Sequence, residues 1–290
     1  MTVGSVLILY VLMVLYLPSL IYNINILSEV FHFTAMRPSL IVGIYYACIL
    51  IGTIIPFLFL KSAFKIKMHD FWRPCAFRIR DFFVYVVVFI ALGSALVFLV
   101  SIINIYIPIG ENVLLGVVAL LPTDYVETII FSILYCLAVP ILEEIAFRGI
   151  LLRALGVYGN RFALITGAII YALLQPNFAS FIPAFFMAIF LINLTLRYKS
   201  IVPAIAVHIV FNIFMYGFEF IPADLLLVAT GLIFVIYLLA LYFIISRHYI
   251  YAKVKKSEAQ GMVMALFYTR PTIIIAFVLS IFFTVIVNIL

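Results

Sequence analysis

Apolar stretches long enough to cross a bilayer recur along the whole chain, and that recurrence leaves few folds open. They fall near residues 3–26, 39–60, 82–109, 125–147, 162–178, 181–196, 201–218, 223–246 and 272–290, judged against the roughly 20 residues a helix needs to cover hydrocarbon. Only α-helices and closed barrels satisfy their own backbone hydrogen bonds in lipid, and uninterrupted apolar runs of this kind are helical. With 68% hydrophobic and 10% charged residues, a water-soluble fold would have nowhere to hide its apolar surface. The expectation is an all-α, polytopic membrane protein of about nine transmembrane helices, with the 162–178 and 181–196 segments the least separable. The first segment lacks the basic start and short apolar centre of a cleaved signal peptide.

Charge placement orients these helices. Counting from an outside N-terminus puts Lys61, Lys65, Lys67, Arg73, Arg78 and Arg80 in one loop. Arg153, Arg161, Arg197, Lys199, Arg247, Lys253, Lys255, Lys256 and Arg270 then fall on the same side. Arg37 is on the other side, with Glu29, Glu111, Asp124, Glu219 and Asp224. The positive-inside rule makes the basic side cytoplasmic and the topology N-out, C-out, as in a bacterial cell membrane. The net charge of +6 is then accounted for by a basic face against anionic lipid, with no call on nucleic acid. Cys48, Cys75 and Cys136 form no CxxC and no metal-ligand spacing, so neither a disulfide framework nor a metal or other cofactor is expected. No repeat or soluble segment interrupts the pattern, and residues 1–290 read as one membrane domain.

The stretch Leu142-Glu143-Glu144-Ile145-Ala146-Phe147-Arg148 sets three ionisable groups inside an apolar run. Each costs roughly 2.5–3.5 kcal/mol at the centre of an inserted helix, so their joint presence points to a site. On a helix Glu144 and Arg148 stand four residues apart on one face and can pair, while Glu143 points about 100° away and needs another partner. Arg148 can neutralise one carboxylate and not both. The other must be protonated, hydrated or hydrogen-bonded, which is the equipment of a general base.

Two polar pairs at helical spacing follow: Tyr171 with Gln175, and His208 with Asn212. If the cytoplasmic helix ends lie near Gly156, Arg161 and Ser200, then Glu143, Gln175, His208 and Asn212 sit roughly 12–21 Å below that surface, at 1.5 Å per residue. One layer thus gathers groups from distant parts of the chain, and a hydrated cavity open to the cytoplasm would satisfy them together. Taken singly, a Gln or Asn in a membrane helix more often makes an interhelical hydrogen bond, worth about 0.6 kcal/mol. Tyr135 and the many other aromatic residues read as interface belt and packing.

Glu143-Glu144-x-x-x-Arg148, the aromatic-x-x-x-polar pair Tyr171 and Gln175, and the stretch Leu196-Arg197-Tyr198-Lys199-Ser200-Ile201-Val202-Pro203-Ala204-Ile205 leading to His208-x-x-x-Asn212 together resemble the CPBP group. This group comprises the CAAX prenyl proteases and bacteriocin-processing enzymes. The resemblance covers about residues 125–215 and implies an intramembrane endopeptidase core. By that resemblance Glu143 activates water, Glu144 and Arg148 orient it, and His208 and Asn212 bind the scissile carbonyl and its oxyanion. It further implies a membrane-associated or lipidated peptide or protein as substrate or partner.

The pattern departs from the family at one place. The second motif of the family is Phe-x-x-x-His, and here it is Tyr171-x-x-x-Gln175. Glutamine cannot titrate and is a poor metal ligand, although its carbonyl can hold a water and its amide can donate. Two readings follow: an endopeptidase in which Glu143 works without an imidazole partner, and a catalytically silent relative that binds a membrane partner as scaffold or regulator.

Overall fold

The computed structural model describes residues 2–17, 38–106, 125–175, 178–218, 220–246 and 260–289. The expectations attached to positions 29, 37, 111, 124, 219, 247, 253, 255 and 256 lie outside them. Every regular element among the described residues is helical. In chain order these are α1 (Val3–Tyr16), α2 (Pro38–Ala63), α3 (Ile79–Tyr106), α4 (residues 125–156), α5 (Asn160–Leu173), α6 (Phe178–Tyr198), α7 (Val202–Phe218), α8 (Leu226–Ile245), α9 (Gln260–Tyr268) and α10 (Pro271–Ile289).

This is an all-α, multi-pass membrane protein. Five stretches have the length and hydropathy to cross a membrane: Tyr46–Ala63, Ile79–Tyr106, Thr128–Gly156, Ala179–Tyr198 and Ala223–Ile245. Val3–Tyr16, Asn160–Leu173, Val202–Phe218 and Pro271–Thr284 are apolar but shorter. At 1.5 Å per residue a helix of 14 to 17 residues rises only about 21–26 Å, against a hydrocarbon core of about 30 Å, so length alone does not make the described helices nine spans. The 162–196 region divides cleanly, with α5 ending at Leu173 and α6 starting at Phe178.

The helices pack around two apolar cores. One joins α1, α2, α4, α5 and α10 through Tyr10, Phe57, Phe147, Phe162 and Ile273. The other joins α3, α6, α7 and α8 through Phe89, Phe190, Phe211 and Ala240. Within the first core α4 contacts α2 and α5, and it also contacts α7, which carries part of the second. α7 packs closely on α3, where a Cβ at Gly93 would run into the Phe211 ring.

α4 is not a plain α-helix. It widens into a π turn at Leu134–Ala138 and a second at Glu144–Leu151. Pro140 explains the first, since a proline inside a helix removes a donor and its ring clashes with the preceding turn. The Val139 N–H reaches back to the Leu134 carbonyl rather than that of Tyr135. Pro140, next in line, has no N–H to offer Tyr135. Asn212 of α7 replaces the missing donor, its Nδ2 lying 3.1 Å from the Tyr135 carbonyl oxygen.

The basic loop after α2 is tied to the end of α4. Phe71 is fully buried there and sits so close that a Cβ on Gly149 would come within 2.9 Å of its ring. The Arg153 guanidinium covers the same ring at 5.1 Å and donates to the Asp70 carbonyl. The Ile201 N–H donates to the Phe71 carbonyl at 3.0 Å, and Ser200 Oγ to that of Arg73 at 2.7 Å. One loop thereby fixes where α4 ends and α7 begins.

Candidate active site

The second π turn of α4 carries the charged motif. Wide turns of this kind are uncommon and frequently mark functional segments. Glu144 and Arg148 are both fully buried, with Arg148 Nη1 3.2 Å from Glu144 Oε1. That contact is charge against charge without hydrogen-bond alignment, for none of the three guanidinium nitrogens makes a hydrogen bond to another described group. The cation lies instead 4.4 Å from the centre of the Tyr171 ring, a cation–π contact that strengthens when both groups are desolvated.

His208, buried on α7, brings Nδ1 to 2.8 Å from the same Glu144 oxygen. With Nδ1–H donating to the carboxylate, Nε2 is the ring nitrogen left for chemistry, as in other carboxylate–histidine pairs. Glu144 is thus engaged by two groups at once, and a carboxylate held between an arginine and a histidine is poorly placed to take a proton from water.

Glu143 has different company. Its Oε2 accepts a hydrogen bond from the Tyr171 hydroxyl at 2.9 Å, and the residue is only half-buried. Tyr171 therefore touches both halves of the motif, its hydroxyl on Glu143 and its ring face on Arg148. Phe147 meets the ring edge-on with centroids 5.0 Å apart, and Phe57 and Tyr10 continue that aromatic wall into the core.

Of the residues expected at the site, Glu143, Glu144, Arg148 and His208 are linked through shared contacts. Asn212 stands one turn beyond His208 with one amide proton on the Tyr135 carbonyl. Gln175 is not brought onto either carboxylate. It follows the last turn of α5, and its Nε2 donates to the Tyr171 carbonyl at 3.1 Å, which closes the helix end. Thr284 Oγ1 and Ser280 Oγ of α10 donate to the Gln175 and Leu173 carbonyls, so the end of α5 is satisfied by its neighbours. Among the described residues no three His, Cys, Asp or Glu side chains gather as a metal site.

Sequence reasoning paired Tyr171 with Gln175 but assigned it no role at the site, and the structure puts its hydroxyl on Glu143. Its signal was the position four residues before Gln175 at the depth of the carboxylates, where a phenol needs a partner for its O–H.

The described helices thus gather a carboxylate–arginine–histidine cluster among apolar elements of a multi-pass helical protein. The model of the type II CAAX prenyl endopeptidase Rce1-like family matches residues 125–214, from the start of α4 to near the end of α7. Over that segment the chain is similar to the CPBP group, the resemblance its motifs carry. No curated protein and no solved structure matches it significantly.

Proposed function

We propose that this chain is an intramembrane endopeptidase that cleaves membrane-associated or lipidated peptides or proteins with a water activated by Glu143, without a metal. One observation carries the reading: the adjacent carboxylates differ in company among the described residues, Glu144 being held by Arg148 and His208 while Glu143 accepts from the Tyr171 phenol. Pairs of titratable groups in divergent surroundings are how one site supplies a base and a fixed charge together.

In this mechanism Glu143 takes a proton from water and the resulting hydroxide adds to the scissile carbonyl carbon. The carbonyl oxygen becomes an oxyanion. His208, its Nδ1–H on Glu144, stabilises it through Nε2–H in the imidazolium form, and Asn212 adds its second amide proton; such donors commonly supply the largest electrostatic contribution. Collapse of the adduct breaks the C–N bond, and the proton held by Glu143 passes to the leaving amine. Arg148 and His208 hold Glu144 in place.

The location assigned with this reading is a bacterial cell membrane, with the basic loops on the cytoplasmic side. The decisive experiment is cleavage of a prenylated or membrane-inserted peptide by the purified protein. Turnover that falls at least a hundred-fold in Glu143→Ala is expected, and equal turnover in the two would remove Glu143 as the base. A second reading, a silent relative acting as scaffold or regulator of a membrane partner, is favoured by the Gln175 amide, which faces a backbone carbonyl rather than Glu143. It requires no turnover in the wild type and partner binding unchanged by Glu143→Ala.

A further inference from the structure

We infer that Tyr171 is a positioning residue for Glu143: its hydroxyl fixes the plane of the carboxylate for water activation, a task that in this chain does not fall to residue 175. The inference rests on the endopeptidase reading.

The geometry separates the two candidates for that task. The Tyr171 hydroxyl is 2.9 Å from Glu143 Oε2, a direct donor contact. Gln175, one turn later, has its amide proton on the Tyr171 carbonyl, so it supports the tyrosine and not the glutamate. A phenol that donates to Oε2 leaves Oε1 without that donor and removes the rotation about the terminal torsion that an unrestrained carboxylate keeps.

The tyrosine is itself held firmly. Arg148 lies over one face at 4.4 Å and Phe147 meets the ring at an interplanar angle of 85°. Because Arg148 also contacts Glu144, the orientation of Glu143 is tied to that of the neighbouring pair through one aromatic ring. Phenylalanine would keep the contact with Arg148 and the edge contact with Phe147, and would lose only the donor. The hydroxyl can therefore be tested without dismantling the ring's packing.

The test compares kcat and KM on one prenylated peptide for wild type, Tyr171→Phe, Gln175→His and Tyr171→Phe/Gln175→His, each reconstituted in the same lipid. Tyr171→Phe should lose ten- to a hundred-fold in kcat, on the order of what a misplaced catalytic group costs, with KM within two-fold. Gln175→His alone should change little, because Glu143 is already held. In the double variant the imidazole should take over the carboxylate and recover at least ten-fold of the lost kcat. A Tyr171→Phe variant with wild-type kcat overturns the inference, as does a loss that the added histidine fails to recover. If Tyr171→Phe yields too little folded protein, the double variant decides: cleavage supports the inference, and an inactive or unfolded protein overturns it. Absence of turnover in the wild type is seen before any Tyr171 variant is compared. It overturns the endopeptidase reading, and the role of Tyr171 with it.

Discussion

Glu143 and Glu144 are chemically identical neighbours, and everything that distinguishes them comes from the helix faces on which they fall. Glu144 shares one oxygen between Arg148 and His208 in a fully buried setting. Removing one partner of a buried pair leaves the other charge uncompensated, which costs on the order of 3–5 kcal/mol. Glu144→Gln should therefore lower folding yield and thermal stability, whereas Glu143→Gln should fold nearly as the wild type and lose turnover. Thermal unfolding in detergent, set beside peptide cleavage, checks the division, and equal losses of stability in the two variants would contradict it. The pairing of Glu144 with Arg148 was legible from four-residue spacing alone. The partner of Glu143 was not, because it depends on how α5 is rotated against α4, and an aromatic residue at helical spacing most often signifies packing.

At the scale of elements, α4 shows how backbone irregularity recruits side chains. Pro140 and the irregular turn it causes can be anticipated from the sequence, but the side chain that replaces its missing donor at the Tyr135 carbonyl cannot, because that depends on how α7 packs on α4. Asn212 consequently has a structural duty besides the one proposed for it, and its four-residue spacing from His208 could not separate the two. The second irregularity, at Glu144–Leu151, ends where the basic loop docks. Gly149 is required there by the approach of Phe71, not by its backbone angles. Gly149→Leu would gain helix propensity of about 1 kcal/mol, yet it would have to displace a fully buried ring that Arg153 covers. Overpacking of this kind costs about 1–3 kcal/mol, so a net destabilisation is expected. The loop between Lys65 and Arg78 should become the earliest site of limited proteolysis, and an unchanged cleavage pattern with unchanged stability would show that Phe71 has room to move.

Across the whole molecule, the helical class and the segments that carry the polar groups followed from apolar runs, since lipid leaves the backbone so few alternatives. The number of spans did not follow, because α5 and α7 are short helices that meet longer neighbours, and sequence length cannot tell such a helix from a full crossing. Orientation matters more for function than the count. Glu144 lies five residues from Gly149, about 7.5 Å of helix rise, so the carboxylate cluster is on the side of the bilayer where the basic loop docks. If that loop is cytoplasmic, the site is reached from the inner leaflet, where a protein lipidated in the cytosol would present its anchored end. Cys75, partly exposed in the loop, reports on this directly once Cys48→Ser and Cys136→Ser remove the two thiols in the membrane helices. A membrane-impermeant maleimide should leave Cys75 unlabelled in intact cells and label it after the membrane is opened. Labelling of intact cells would place the basic loop outside, reverse the assigned topology, and direct the search for substrates to proteins on the outer face.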